Sequence, residues 1–219
     1  MSFLTDKISR KRLDTLIAPY ASDARVLEVG SYGKPSYGSY FQHRTGIDIK
    51  PGPGVDIVAS VYDLPFQDGE FDVVLCMSVL EHLKEPARAI TEMRRCLKAG
   101  GRIIVSVPFL FPIHDAPGDF WRFTKYGLQE LFHSGWTIEK LEAEADAQTS
   151  FAILAQRAGY QSRMRFNAVS KFLLFAFAKI LQKMPSMFRA IYGDIKKSIK
   201  EKDAFASAFF LVASKHDHA

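Results

Sequence analysis

The run RVLEVGSYGKPSYGSYFQHRTGID, from Arg25 to Asp48, leaves the chain the fewest options for folding. Val26, Leu27 and Val29 make a short apolar strand around Glu28, bounded by turn formers. Gly30 and Gly33 follow at once, where the backbone must turn sharply and a ligand can approach it closely. Ser39 to His43 has room to begin a helix, and Thr45-Gly46-Ile47-Asp48 reads as a second strand ending on a carboxylate. A strand, a glycine turn, a helix and a second strand closed by an acid form the nucleotide-binding half of a doubly wound fold.

The remaining chain continues that alternation. Ahead of the run, Asp6 to Pro19 fits one amphipathic helix, with Asp6 as N-cap and Ile8, Leu13, Leu16 and Ile17 on a common side. After it, the Pro51-Gly52-Pro53-Gly54 loop leads to a short strand at Val55–Ala59. Phe71 to Cys76 is nearly all apolar, as suits a parallel strand covered on both faces. A helix from Pro86 to Leu97, ended by Gly100-Gly101, precedes a strand at Ile103–Val107. Thr124 can cap a helix running to His133, and strands follow at Trp136–Leu141 and Ala206–Ala213. The expected fold is α/β and Rossmann-like: a doubly wound, mostly parallel seven-stranded sheet with an antiparallel last strand and a helical insertion before it. Residues 1–147 and 203–215 would form the ligand-binding domain, and 148–202 the insertion.

Composition narrows the class. With 47% hydrophobic and 13% aromatic residues, 219 residues can bury a sizeable core, which excludes wholesale disorder. Cys76 and Cys96 have no C-x-x-C spacing and sit on a strand and a helix, so both read as reduced core thiols. The N-terminal stretch MSFLTDKISRKRLD has no apolar signal-peptide core, and no run reaches the roughly 18 apolar residues of a membrane span. A cytoplasmic location is expected, with peripheral contact at the inner membrane as an option. No pair of Cys or His has metal-ligand spacing, so no metal is expected.

Chemistry-bearing residues fall at the strand ends. Glu28, two residues before Gly30, sits where such sheets bind ligands and can accept hydrogen bonds from water or a ligand amine. Asp48 is placed to grip a ribose hydroxyl pair. Asp63 can pair with an adenine amino group while Leu64 packs on the ring; an exposed turn is the plain alternative. Glu81-His82 follow the fourth strand at a helix start, with His82 facing a ligand or merely ending a polar turn. Farther on, PFLFPIHDAPGDFWRF (108–123) carries His114, a natural general base, with Asp115 or Asp119 to orient it and Arg122 to meet an anionic substrate. Alternatively, Asp119 and Arg122 pair to lock the loop, with Trp121 in the core.

Together, VLEVGSYG, GIDIKPG, DLPFQDGEFDVVLCMSVLEHL and LKAGGRIIVSVPF resemble the successive motifs of class I S-adenosylmethionine-dependent methyltransferases of the small methyltransferase-domain type. The resemblance covers about residues 22–145 and the final strand. It implies that Glu28, Gly30, Ser31 and Gly33 hold the methionine end of S-adenosyl-L-methionine. It likewise puts Asp48 and Ile49 at the ribose, Asp63 and Leu64 at the adenine, and Met77, Ser78 and His82 at the wall after the fourth strand. Tyr32 stands where the family usually has glycine, so its side chain must point out of the pocket or lie across it. The run H-D-x-P-x-D-x-W-R-F also resembles a segment of relatives from polysaccharide and cell-envelope gene clusters.

Charge is distributed unevenly. Residues 157–202 hold 11 basic and 2 acidic side chains, whereas the rest hold 18 and 22. Within them, Phe166 to Met184 fits a helix with Phe166, Val169, Leu173, Phe177, Ile180 and Met184 on one side, and Lys171, Lys179, Lys183, Phe172 and Phe175 on the other. Such a helix suits a lipid headgroup layer, a lid or a homodimer contact; nucleic acid ranks last, because the basic residues alternate with bulky aliphatics. The function expected is methyl transfer to an O or N nucleophile of a small-molecule, glycan or lipid-linked acceptor. The alternatives are a catalytically weak scaffold that binds S-adenosylmethionine and an RNA methyltransferase. A nicotinamide-dependent oxidoreductase is disfavoured, since SYGKPSYG supplies no clean G-x-G-x-x-G turn.

Overall fold

Seven strands assemble into one mixed sheet, in the order β3-β2-β1-β4-β5-β9-β6. They are β1 (Ser22–Val29), β2 (Phe41–Asp48), β3 (Ile57–Val58), β4 (Phe71–Met77), β5 (Leu97–Pro108), β6 (Trp136–Ala143) and β9 (Ala208–Lys215). A separate two-stranded antiparallel ribbon joins β7 (Tyr192–Gly193) to β8 (Lys200–Glu201). This computed structural model describes residues 7–9, 12–33, 37–161, 167–183, 192–193, 200–201 and 203–216. Asp6, the expected N-cap, lies outside them, as do Phe166 and Met184.

The chain divides into two compact units, one of residues 16–108, 114–142 and 209–219, the other of residues 1–15, 109–113 and 143–208. The first unit holds the sheet. β1 lies between β2 and β4, parallel to both, with Leu27 opposite Thr45 on one side and Val74 on the other. Strand order therefore reverses at β1, and a crevice opens at the carboxyl ends of β1 and β4, where open α/β sheets bind ligands. Strands near the far end run antiparallel, as expected. Val26, Leu27, Val74, Leu75 and Cys76 are buried, as both faces of a parallel sheet require.

Helix α1 (Leu13–Ile17) is short, and the apolar set Ile8, Leu13, Leu16 and Ile17 is buried. Helix α2 (Pro86–Cys96) starts with proline in its first turn and buries Ala89, Ile90, Met93 and Cys96 as one stripe. Truncating Met93 to alanine would cost about 2–5 kcal/mol in such a site. Burial pushes the Cys96 thiol up to about 11, leaving it inert. Helix α3 (Lys125–Leu131) is capped as the sequence suggests, with the Thr124 hydroxyl accepting from the Gly127 N–H at 3.0 Å.

Three local expectations fail. No helix begins at Ser39–His43: a single 3-10 turn spans Tyr37–Tyr40, and Phe41, buried, already opens β2 opposite Ser22. Gly100-Gly101 does not cap α2, because Leu97 is extended and pairs with Phe71, putting both glycines inside β5. The strand expected over Val55–Ala59 is reduced to Ile57–Val58.

The second unit contains α4 (Ala147–Gln161) and α5 (Asn167–Lys183), which pack against each other. Ala152 and Ala178 are fully buried with Ile8 and Ile153, their small side chains allowing close approach. The Ile8 N–H donates to Gln156 Oε1 at 3.0 Å, and Gln161 Nε2 to the Ile113 carbonyl at 2.7 Å. The outer face of α5 is unusual. Val169, Phe172, Leu173, Phe177 and Ile180 are each 52–64% exposed, while Lys179 is buried. The stripe Val169-Leu173-Phe177-Ile180 thus faces away from the core of its own unit. Among the described residues, no helix is long and apolar enough to cross a membrane.

Candidate active site

A cavity of about 710 Å³ occupies the crevice at the β1/β4 reversal. Gly30 starts it: at φ 71° it turns the chain out of β1, and its N–H donates to the Ile47 carbonyl at 2.9 Å. Asp48 ends β2 beside it. Its carboxylate accepts from the Tyr32 N–H at 3.3 Å and the Lys50 N–H at 3.1 Å, which fixes the side chain at the cavity wall. Ile49, 72% exposed, presents an apolar surface beside it.

Tyr32 lines the cavity. Its ring lies over Gly52, so close that a β-carbon built there would sit 2.2 Å from Cε2. Glycine is required at 52 for the ring to adopt this position. The ring forms part of the rim, between the two placements the sequence allowed.

Glu28 and Ser31 are buried behind this wall rather than on it. The Glu28 carboxylate accepts from Arg44 Nε, and the same guanidinium reaches the Gly54 carbonyl and Asp56. Ser31 Oγ donates to the Ile47 carbonyl at 3.2 Å. Gly33 lies outside the lining too, with its N–H on the Pro53 carbonyl at 3.0 Å. These residues shape the turn.

In the turn that supplies the opposite wall, Asp63 is exposed and outside the cavity lining, and Leu64 is buried in the protein and outside it too. Val61 and Tyr62, from the same turn, line the cavity instead. Arg95 holds this turn by donating to the Leu64 and Phe66 carbonyls, at 3.0 and 2.8 Å, and to Asp68. Glu92, its carboxyl lowered by the Arg95 side chain, accepts the Leu64 N–H at 2.9 Å. Met77 is a core residue. Ser78 does line the cavity, in the left-handed region at φ 53°, which strains a non-glycine backbone.

The far end of the cavity carries His82, Asp115 and Phe120. His82 belongs to a separate 3-10 turn, Leu80–His82, and not to the start of α2. Its Nδ1 lies 2.8 Å from the Gly118 carbonyl. His114 does not line the cavity, but its ring centroid is 5.0 Å from that of His82. Asp119, its side chain fully shielded, makes paired bonds of 2.6 and 2.7 Å to Arg122, accepts the His114 N–H at 3.0 Å and lies 3.2 Å from His114 Nδ1. Asp119 thus contacts His114 and Arg122 at the same time. Arg122 is committed to that pair and holds the Asp119 carboxyl well below the usual range. Trp121 is not in the core; it is 43% exposed and donates from Nε1 to the Leu83 carbonyl at 2.7 Å. Sequence spacing also hid one grouping: Glu81, His82 and His114 each place a ligating atom within 4.8 Å of the others.

The residues present fit S-adenosyl-L-methionine. An oriented carboxylate stands at the end of β2, bare backbone at Gly30, and the cavity is large enough for a nucleoside with an amino-acid tail. Residues 37–105 match the family model described as "Methyltransferase domain". An uncharacterised protein of Methanocaldococcus jannaschii is 39% identical over 92 residues, 38% of this chain and 44% of that protein. A ubiquinone biosynthesis O-methyltransferase of Xylella fastidiosa is 34% identical over 103 residues, 39% of this chain and 42% of that protein. The chain covers 22–44% of the length of the first three curated relatives it matches. Among solved structures, a Burkholderia thailandensis 1,6-didemethyltoxoflavin-N1-methyltransferase with bound S-adenosylhomocysteine superposes with TM-score 0.56 at 16% identity, over 98% of this chain and 81% of that one. The 4+2 cyclase SpnF superposes with TM-score 0.59 at 22% identity, over 94% and 81%, so the fold by itself does not name a reaction. Motif series, strand order and the domain match over residues 37–105 agree: the sheet-bearing part of the chain is similar to the class I S-adenosylmethionine-dependent methyltransferases.

Proposed function

We propose that the protein transfers a methyl group from S-adenosyl-L-methionine to an O or N nucleophile of a small-molecule, glycan or lipid-linked acceptor. The observation that carries this reading is one continuous cavity, running from Asp48 and Gly30 to His82 and Asp115. When bound, S-adenosyl-L-methionine supplies an electrophilic methyl group on a sulfonium. Asp48 holds the ribose hydroxyls, and Val61 and Tyr62 wall the base. Ser78 and Val79 set the floor between the two ends. His82, at the acceptor end, is placed to take the acceptor proton, with its Nδ1–H on the Gly118 carbonyl leaving Nε2 as the base. Asp115 is exposed beside it, and His114, held by Asp119, backs the His82 ring. Holding the acceptor in line is the larger part of the task, since displacement at a methyl carbon needs little beyond alignment and proton removal.

The face of α5 favours an acceptor met at an anionic lipid surface. Five large apolar side chains are exposed on a helix that also carries Lys171 and Lys183, within a segment of strongly positive charge. Calorimetry with S-adenosylhomocysteine tests the cofactor half of the reading. Wild type should bind, and Asp48→Ala should weaken binding at least about 10-fold, the loss of one or two charge-assisted hydrogen bonds. No binding by wild type would end the reading. Incubation of extracts with S-adenosylmethionine labelled on the methyl group, followed by mass spectrometry, identifies the acceptor.

A further inference from the structure

We propose that Glu81, His82 and His114 bind one divalent transition-metal cation, zinc suiting the donors best, at the acceptor end of the cavity. The three side chains come from two places: Glu81 and His82 from the turn after β4, and His114 from the loop after β5. The histidines, 31 residues between them, follow no ligand spacing, and only the fold brings them together.

The orientation of the two imidazoles carries the inference. Each has its Nδ1 against a fixed acceptor: His82 on the Gly118 carbonyl at 2.8 Å, and His114 on the Asp119 carboxylate at 3.2 Å. An Nδ1–H donated to a carbonyl or carboxylate leaves Nε2 as a lone-pair donor, and this outer shell is the one that metal-binding histidines ordinarily have. The Nε2 of His82 lies 3.9 Å from Glu81 Oε1. One ligating atom from each of the three residues lies within 4.8 Å of the other two. Bonds of about 2.0–2.1 Å to a common ion require ligating atoms about 3.3 Å apart, so the rings must swing inward by roughly 1 Å.

Charge and access agree with a cation. Glu81 and Asp119 bring two carboxylates and Arg122 one guanidinium, a net −1 around neutral imidazoles. Glu81 is buried, while the His82 and His114 side chains keep 25% and 23% exposure, which gives an ion a route in. Two imidazoles and one carboxylate with a position left open is a set found at catalytic zinc. Because His82 also lines the cavity, that open position faces the place where an acceptor oxygen or nitrogen would sit. With a cation bound, His82 Nε2 would serve as ligand and not as base, and the cation would hold the acceptor atom and favour its deprotonated form in its place. The metal site itself holds whether or not the chain transfers methyl groups.

The test uses untagged full-length protein, stripped with chelator and titrated with Zn²⁺ and Co²⁺. Wild type should take up one equivalent, gain a higher melting temperature, and show visible ligand-field absorption with Co²⁺. His82→Ala and His114→Gln should each weaken Co²⁺ binding at least about 10-fold, and Asp119→Asn about 10–100-fold through the lost outer-shell bond. Asp48→Ala should bind Co²⁺ as wild type does while losing affinity for S-adenosylhomocysteine, which separates this site from the cofactor site. Uptake of no metal by wild type, or equal uptake by wild type and a folded His82→Ala/His114→Gln protein, overturns the proposal.

Discussion

Replacing Arg122 with methionine strands a buried carboxylate. The Asp119 side chain is fully shielded, and its two shortest bonds, 2.6 and 2.7 Å, both run to Arg122. In Arg122→Met only the two His114 contacts remain, at 3.0 and 3.2 Å. Breaking one side of a buried pair costs about 3–5 kcal/mol, much of it the desolvation of the charge left behind. Removing both charges with Asp119→Asn/Arg122→Met should cost less than the sum of the single changes, with a coupling of about 1–3 kcal/mol. The dependence on pH has a definite sign. The Arg122 hydrogen bonds, ahead of the contribution of His114, lower the Asp119 carboxyl in the folded state. Its contribution is therefore present above the unfolded value of about 4 and is lost as pH falls through the folded value. In Arg122→Met desolvation is no longer offset, so the carboxyl protonates at higher pH and the gap to wild type narrows on acidification. Urea unfolding at pH 7 and pH 4.5, followed by circular dichroism, measures all three quantities. A loss under about 1 kcal/mol at pH 7, or strict additivity in the double variant, would refute the reasoning.

Tyr32→Ala should weaken S-adenosylhomocysteine binding up to about 10-fold, through loss of the rim contact, and Gly52→Ala should do the same by displacing the ring. If either change instead tightens binding 10-fold in calorimetry, the ring obstructs the cavity. Flotation with vesicles containing anionic phospholipid should carry wild type upward at low salt and release it at high salt. Phe172→Ser/Leu173→Ser should stay at the bottom, whereas flotation of both proteins alike would discount the α5 face. Asp48→Ala and the histidine variants complete the set, each tested as described above.

The sheet was legible because its signals are local. Apolar strands at Val26–Val29 and Phe71–Cys76, the Gly30 turn and the Asp48 terminus each follow from a few neighbouring residues. Thr124 announced its helix for the same reason. What stayed hidden depended on partners distant in sequence. Glu28 looked like a ligand group, and nothing in its neighbourhood revealed that Arg44 would cover it. Leu64 resembled a ring-stacking residue, but tertiary packing turned it inward and left Val61 and Tyr62 at the wall. The Glu81, His82 and His114 cluster has no spacing to recognise, since it depends on how the loop after β5 returns to the end of β4. The α5 pattern was visible, yet periodicity could not say which face would look outward.

The Arg44 clamp has a consequence for the entropy of binding. Pro51-Gly52-Pro53-Gly54 has no core of its own and, left alone, would sample many conformations. One guanidinium ties its Gly54 carbonyl to Glu28 and Asp56, and the Asp56 carboxylate in turn accepts the Gly46 N–H at 2.6 Å. The Gly33 N–H adds a bond to the Pro53 carbonyl at 3.0 Å. The loop that seats the Tyr32 ring is thus ordered when the chain folds and not when a ligand arrives. A small molecule entering the cavity meets a preformed rim, and its affinity is not reduced by the cost of organising one.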